Sequence, residues 1–389
     1  MTRPEHHSKI LHCGKNSVQV ISPYFILLST LIGMSFALPV KADTPLGWIN
    51  SGNLSAYTTT KGNWDVSGGF QTVNGTIDFL NLREDLLAAN QRLVGKSGDL
   101  TGLSFETHYG LTDYFAVFGR YQEHKLIADV GTFSSINVLK IDDGLETTQQ
   151  EIGFRWMLWE SDILNPDDRS TSVAFQLSAY ENESDDFDVV IDQITISNVI
   201  VTFVDPTTFS VSNMKDDGWI SRLLYSSDIA NLGVASAWVG YGESSATSGT
   251  STNAINGTIR RLFAQDFLQD EKYLYLGASL NFQITPRIPV SIGYEYIDIS
   301  ESVFSRDPED PPSQLPGFLS SNGASSDTSN HTLNARLSYW ITPEINASLT
   351  GNLYSNQFLG RLPHYNNPLS ESFSSTPYGF IGLEIGYRF

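Results

Sequence analysis

The last thirteen residues, Pro377-Tyr-Gly-Phe-Ile-Gly-Leu-Glu-Ile-Gly-Tyr-Arg-Phe389, alternate between two chemistries. Successive side chains of a strand point to opposite faces. Ile381, Leu383, Ile385, Tyr387 and Phe389 therefore share one face, and Phe380, Gly382, Glu384, Gly386 and Arg388 share the other. A water-soluble sandwich would bury the oily face and wet the charged one. A barrel in a bilayer inverts this, with apolar side chains meeting lipid and charges lining the interior.

The same two-residue period recurs upstream. Leu103, Phe105, Thr107 and Tyr109 alternate with Ser104, Glu106 and His108, and after the turn Gly110-Leu-Thr-Asp113 come Phe115, Val117, Gly119 and Tyr121. Ile152, Phe154, Trp156 and Leu158 oppose Glu151, Gly153 and Arg155. Further runs of this kind cover 173–179, 219–225, 235–241, 274–282, 290–296, 333–339 and 345–353. Short turns such as Thr285-Pro-Arg287 and Thr342-Pro-Glu344 join them in pairs, which implies antiparallel neighbours. Between pairs lie long stretches rich in Ser, Asp, Asn, Gly and Pro, at about 128–145, 185–214, 245–270, 301–327 and 358–375.

Eleven strands are read from residue 100 onward, and the first short turn requires one more, placed at 69–82 (GFQTVNGTIDFLNL). The expected fold is all-β, an antiparallel up-and-down transmembrane barrel of about twelve strands. The apolar segment 187–211 is read as a hairpin beyond the membrane or in the lumen; as a membrane hairpin it would raise the count to fourteen. Residues 82–94 have the spacing of a short amphipathic helix. With its final strand closing on Phe389, the chain resembles the Gram-negative outer-membrane β-barrel family. That resemblance implies a location in the outer membrane, insertion by the barrel-assembly machinery through the C-terminal strand, and contact with outer-membrane lipids and lipopolysaccharide.

Ahead of the barrel, Arg3, Lys9 and Lys15 precede the apolar run 21–40, and Val40-Lys41-Ala42 offers a cleavage site. Residues 1–42 are read as a signal peptide, with an uncleaved anchor as the alternative. Residues 43–68 are then a periplasmic segment, and 69–389 the barrel. Cys13 is the only cysteine, so the part after residue 42 has neither a disulfide framework nor a thiolate metal site. That part carries 19 basic against 42 acidic residues, which disfavours nucleic acid as a partner.

No catalytic constellation stands out, and neither a metal site nor a cofactor is expected. His108, His124, His331 and His364 have no ligand spacing, and there is no Gly-x-Ser-x-Gly elbow or phosphate-binding glycine loop. The acidic runs 181–188 and 306–310 lack the spacing of a calcium loop. The informative residues are the charges on the polar faces: Arg120, Arg155, Arg222, Arg336 and Arg388, with Glu106, Glu151, Glu295 and Glu384. A guanidinium in lipid costs ~2–4 kcal/mol at the midplane, so these faces are expected to line the lumen. Separated Arg and Glu clusters would set up a transverse field in a water-filled pore. The same residues paired across the interior would hold the barrel shut. The expected function is a passive channel for small hydrophilic solutes, its selectivity set by these residues. A closed structural or surface-binding barrel is the alternative, and an outer-membrane lipid-modifying hydrolase is a third reading.

Overall fold

The computed structural model describes residues 54–73, 99–127, 131–133, 136–141, 145–161, 170–196, 199–229, 233–253, 265–306, 324–354 and 378–389. The expected signal segment 1–42, the helix over 82–94 and residues 307–310 lie outside them. The regular elements among the described residues are strands: β1 (Trp64–Val73), β2 (Asp99–Thr112), β3 (Phe115–Ile127), β4 (Gly131–Phe133), β5 (Ile136–Ile141), β6 (Leu145–Glu160), β7 (Thr171–Ser184), β8 (Phe187–Ile196), β9 (Val199–Ile229), β10 (Gly233–Thr252), β11 (Gln265–Thr285), β12 (Ile288–Arg306), β13 (Ala324–Trp340), β14 (Ile345–Tyr354) and β15 (Tyr378–Arg388).

All fifteen join one sheet. Twelve of them close into an antiparallel barrel, in the order β1, β2, β3, β6, β7, then β9 through β15. The last strand returns to the first through a register running from Asp65↔Arg388 to Thr72↔Ile381. β4, β5 and β8 lie outside the ring. β9 has 31 residues: its stretch Met214–Ser227 lies in the wall against β7, while Val199–Val211 pairs with β8. The hairpin expected over 187–211 therefore exists, but it extends the wall instead of widening it, and the ring holds twelve strands. The stretch 128–145, read as a loop, contains β4 and β5, which continue this sheet through Ile136↔Ile194 and Ile141↔Val189.

The first strand departs from expectation. It starts at Trp64, five residues ahead of the expected 69, and residues 74–82 of the expected strand lie outside the described ones; the alternation starts at Trp64, since Trp64 and Phe70 are exposed, whereas Asp65 and Gln71 are buried. Ser67-Gly68-Gly69 hides that period in the sequence. Gly69 is needed there, since a Cβ at this position would collide with Glu384 of β15.

Both sheet termini, Trp64 and Phe389, lie at the end that carries the short turns, where each donates a backbone hydrogen bond to the other. The turn after Trp340 is held by Thr342, whose Oγ1 accepts from the backbone N–H groups of Glu344 and Ile345. Trp64 packs at a tilt against Tyr109 and stacks with Phe389, with ring centroids 4.5 and 6.3 Å apart. Rings at this height form the aromatic girdle expected where a barrel wall meets the membrane surface.

The wall is inside-out. Ile152, Leu383 and Ile385 are 71%, 67% and 66% exposed, whereas Arg155, Arg222 and Glu151 are 4%, 4% and 5% exposed. An outer face this apolar is stable only against hydrocarbon. This is the architecture of the transmembrane barrels that the terminal strand resembles. Leu383→Arg should consequently destabilise the barrel by ~2–4 kcal/mol in reversible urea unfolding from phospholipid vesicles. An unchanged midpoint would mean that this face does not meet lipid.

Candidate functional site

The interior is lined by the inward half of each strand and is built in three layers. At the turn end, part of the chain that is not a strand lies within the ring. Leu54 and Ala56 pack with Ala174, Leu224 and Trp238. Ser226 on β9 accepts from the Ala56 N–H at 2.8 Å and lies 3.2 Å from the Ser55 hydroxyl. Ser279 on β11 donates to the Leu54 carbonyl at 3.3 Å, and Arg155 on β6 donates to the Tyr57 carbonyl at 3.1 Å. The Tyr57 hydroxyl donates to Asp228 at 3.3 Å. Burial raises the Tyr57 phenol above its ordinary pKa, so it stays a donor. Beyond it, Thr59 donates to Asp65, and the Gly62 N–H reaches the Gly110 carbonyl at 2.7 Å, where the chain turns up into β1.

The middle layer holds the charges. Arg120 bridges Glu106 and Glu151 at 3.4 and 3.3 Å. Glu106 also contacts His108 at 2.7 Å, and Glu151 accepts from Ser178 at 2.7 Å. Arg336 meets Glu384 at 3.1 Å and Arg222 meets Glu295 at 3.4 Å, while at the turn end Arg388 meets Asp65 at 2.8 Å. Glu295 accepts a further bond from the Trp238 indole at 2.8 Å, while Arg222 lies 4.7 Å from the Tyr275 ring centre. Arg155 donates from two nitrogens to Gln176, at 3.2 and 2.8 Å, and to Tyr57. The third layer, farther from the turns, is the apolar and aromatic set Tyr180, Ile220, Tyr273, Tyr275 and Ile297.

Bulky inward side chains find room because glycines stand beside them. The Trp238 ring lies over Gly277 of the next strand, and Arg222 lies over Gly240, where a Cβ would come within 2.7 Å of its Cγ. These groups thus fold against the wall.

All nine residues singled out in the sequence sit on the inward faces, and eight of them meet in ion pairs. Their signs are interleaved instead of segregated into opposed arcs, because neighbouring strands bring Arg and Glu to the same height, as in Glu106↔Arg120↔Glu151. Asp65, His108, Gln176 and Trp238 complete the network and were not foreseen. Asp65 sits ahead of the expected first strand, and Gln176 and Trp238 carry no charge to mark them. The seated residues 54–57 have no motif at all.

No protein-family model matches this chain, and no curated protein does either. Among solved structures it is similar to the toluene transporter TbuX of Ralstonia pickettii, with 9% identity over 85% of this chain and 90% of that one and a TM-score of 0.39. It is also similar to the CymD monoaromatic hydrocarbon channel (8% identity, 85% and 88% covered, TM-score 0.41). A third is the transport unit of the autotransporter AIDA-I from Escherichia coli (10%, 94% and 97%, 0.34). At these scores no solute and no partner carries over.

The Arg336–Glu384 pair offers a direct test of the ionic layer. Removing one partner of a buried pair costs about 3–5 kcal/mol, whereas replacing both by apolar groups is often neutral. Glu384→Leu should therefore lower stability strongly, and adding Arg336→Met should restore most of the loss. A double-mutant cycle in urea reads the coupling; additive losses would mean that the pair is solvated.

Proposed function

We propose that the protein is an outer-membrane channel for small hydrophilic solutes, held closed at rest by residues 54–57. The supporting observation is what occupies the turn end of the ring. An eight-stranded barrel is about wide enough for side chains alone to fill, and twelve strands enclose more. Here the extra width takes a peptide that belongs to no strand. It is held mostly by hydrogen bonds to Ser226, Ser279 and Arg155, with Leu54 and Ala56 supplying a small apolar contact. Such a peptide can leave without dismantling the wall, and its departure would join the polar interior to the periplasm. The inward Arg and Glu residues would then be the groups that a passing solute meets.

The interleaved ion pairs favour the second reading, a permanently closed structural barrel, and planar-bilayer recording separates the two. Rare discrete conductance steps are expected from the unaltered protein. Ser226→Ala removes the acceptor of the Ala56 N–H and the partner of Ser55. At about 1 kcal/mol for each hydrogen bond, it should raise the open fraction roughly tenfold or more. Silence from both proteins would leave the closed barrel standing, and phospholipid hydrolysis by the purified protein would revive the enzyme reading.

A further inference from the structure

The peptide at the turn end is held by two different parts of the wall. Residues 54–57 meet β6, β9 and β11, through Arg155, Ser226, Asp228 and Ser279. The partners of residues 58–63 lie instead on β1, β2 and the turn between β2 and β3. Thr58 Oγ1 donates to the Asp113 carbonyl at 2.8 Å, and the Lys61 N–H donates to the Asp113 carboxylate at 3.3 Å. The Gly62 N–H donates to the Gly110 carbonyl at 2.7 Å, and the Gly110 N–H returns a bond to the Asn63 carbonyl at 3.1 Å. Thr59 donates to Asp65, which Arg388 holds across the closing seam. Thr60 to Asn63 make a tight turn of their own, closed by the Asn63 N–H on the Thr60 carbonyl at 3.1 Å. Gly62 stands at its third position with φ +79°, a left-handed value that favours glycine. The division between the two sets of partners falls between Tyr57 and Thr58.

We propose that the peptide is a hinged strap: residues 58–63 are a fixed anchor, residues 54–57 are a swinging arm, and Gly110 is the positioning residue that sets the joint. This rests on the reading of residues 54–57 as the closure of a channel, and adds how that closure moves. The anchor is fastened by main-chain bonds in both directions to β2, a strand that its pairing with β1 and β3 fixes in the ring. None of the anchor's bonds named above reaches across the ring, so they survive when the arm leaves. A tethered arm then reseats as an intramolecular event, at high effective concentration. Gly110 matters because the anchor lies directly on it. A Cβ there would come within 2.1 Å of the Thr60 carbonyl oxygen and 2.4 Å of that of Thr59. Both are main-chain atoms, so a larger residue must displace the anchor, and through Thr58 the displacement reaches the arm.

The test follows alkylation by N-ethylmaleimide of the full chain in detergent, in a Cys13→Ser background, with either Ala56→Cys in the arm or Thr59→Cys in the anchor. Both positions are more than nine-tenths buried, so labelling reports the population in which each has come free. Ser226→Ala loosens two hydrogen bonds of the arm, and should speed labelling at 56 about tenfold while leaving 59 unchanged. Gly110→Ala should speed both by about fivefold or more, the scale of one hydrogen bond. Gly351→Ala, at a barrel glycine where a Cβ would meet nothing, should leave both at the parent rate. Equal acceleration at 56 and 59 in the Ser226→Ala protein would mean that the peptide leaves as one piece, and would overturn the hinge. So would a Gly110→Ala protein with both rates unchanged. Because labelling reads the arm without conduction, the two proposals fail separately. A silent bilayer with acceleration confined to 56 refutes the channel and keeps the hinge, whereas conduction with equal acceleration does the opposite.

Discussion

A strand surrounded by hydrocarbon carries two rows of backbone N–H and C=O groups that nothing outside the protein can satisfy, each costing several kcal/mol if left open. In this chain the pairing of β1 with β15 removes the last such rows. Its register from Asp65↔Arg388 to Thr72↔Ile381 turns a twelve-stranded sheet into a ring without edges. Closure also creates an interior, and only an interior gives Arg120, Arg155, Arg222 and Arg336 a place in a wall whose outer face is Leu, Ile and aromatic. The seam itself is reinforced by side chains: Arg388 holds Asp65 at 2.8 Å, and Trp64 packs against Phe389. The terminal Phe389 thus completes both the sheet and the aromatic girdle.

Inside the ring, low polarisability makes unpaired charge expensive and paired charge tolerable. That explains why the signs interleave. Had Arg and Glu been placed on opposite arcs, each would have needed water to stabilise it, and the lining would be wet. Instead Arg120 lies between two glutamates contributed by the strands on either side of its own, and Glu295 takes a bond from Trp238 as well as from Arg222. The glycines opposite Trp238 and Arg222 serve the same end, since they let large groups lie flat along the wall and reach their partners.

Much of this was legible in the sequence wherever the two-residue period was clean. Leu383-Glu384-Ile385 states its faces unambiguously, and so does Ile152 through Trp156. The period failed at Ser67-Gly68-Gly69, where small residues carry no face, and the first strand was placed five residues late for that reason. Pairing was not legible. Which Glu an Arg meets depends on the stagger between strands, and the stagger follows from closure of the whole ring. The 187–211 hairpin was visible as alternating apolar sequence, but its attachment to an over-long β9 was not, because nothing local marks where a strand leaves the membrane. Residues 54–57 were read as periplasmic linker. Leu-Ser-Ala-Tyr is an unremarkable tetrapeptide, and only Ser226, Ser279 and Arg155, each more than ninety residues away, give it a seat.

In the proposed channel two barriers would lie along the axis, and their chemistry ranks them. Separating a buried Arg–Glu pair leaves two uncompensated charges, at about 3–5 kcal/mol for each pair broken. The seated peptide is held by hydrogen bonds with Ser226 and Ser279, worth about 0.5–1.5 kcal/mol each, and by two that involve an ion, from Arg155 and to Asp228, worth about 1.5–3 kcal/mol each. Its apolar contribution is limited to Leu54 and Ala56 against Ala174, Leu224 and Trp238. In that reading the turn end would be the weaker barrier, because its peptide carries no ion pair across the ring, and the ionic layer would be the fixed one. Arg155 joins the two: it donates to the peptide at Tyr57 and to the wall at Gln176.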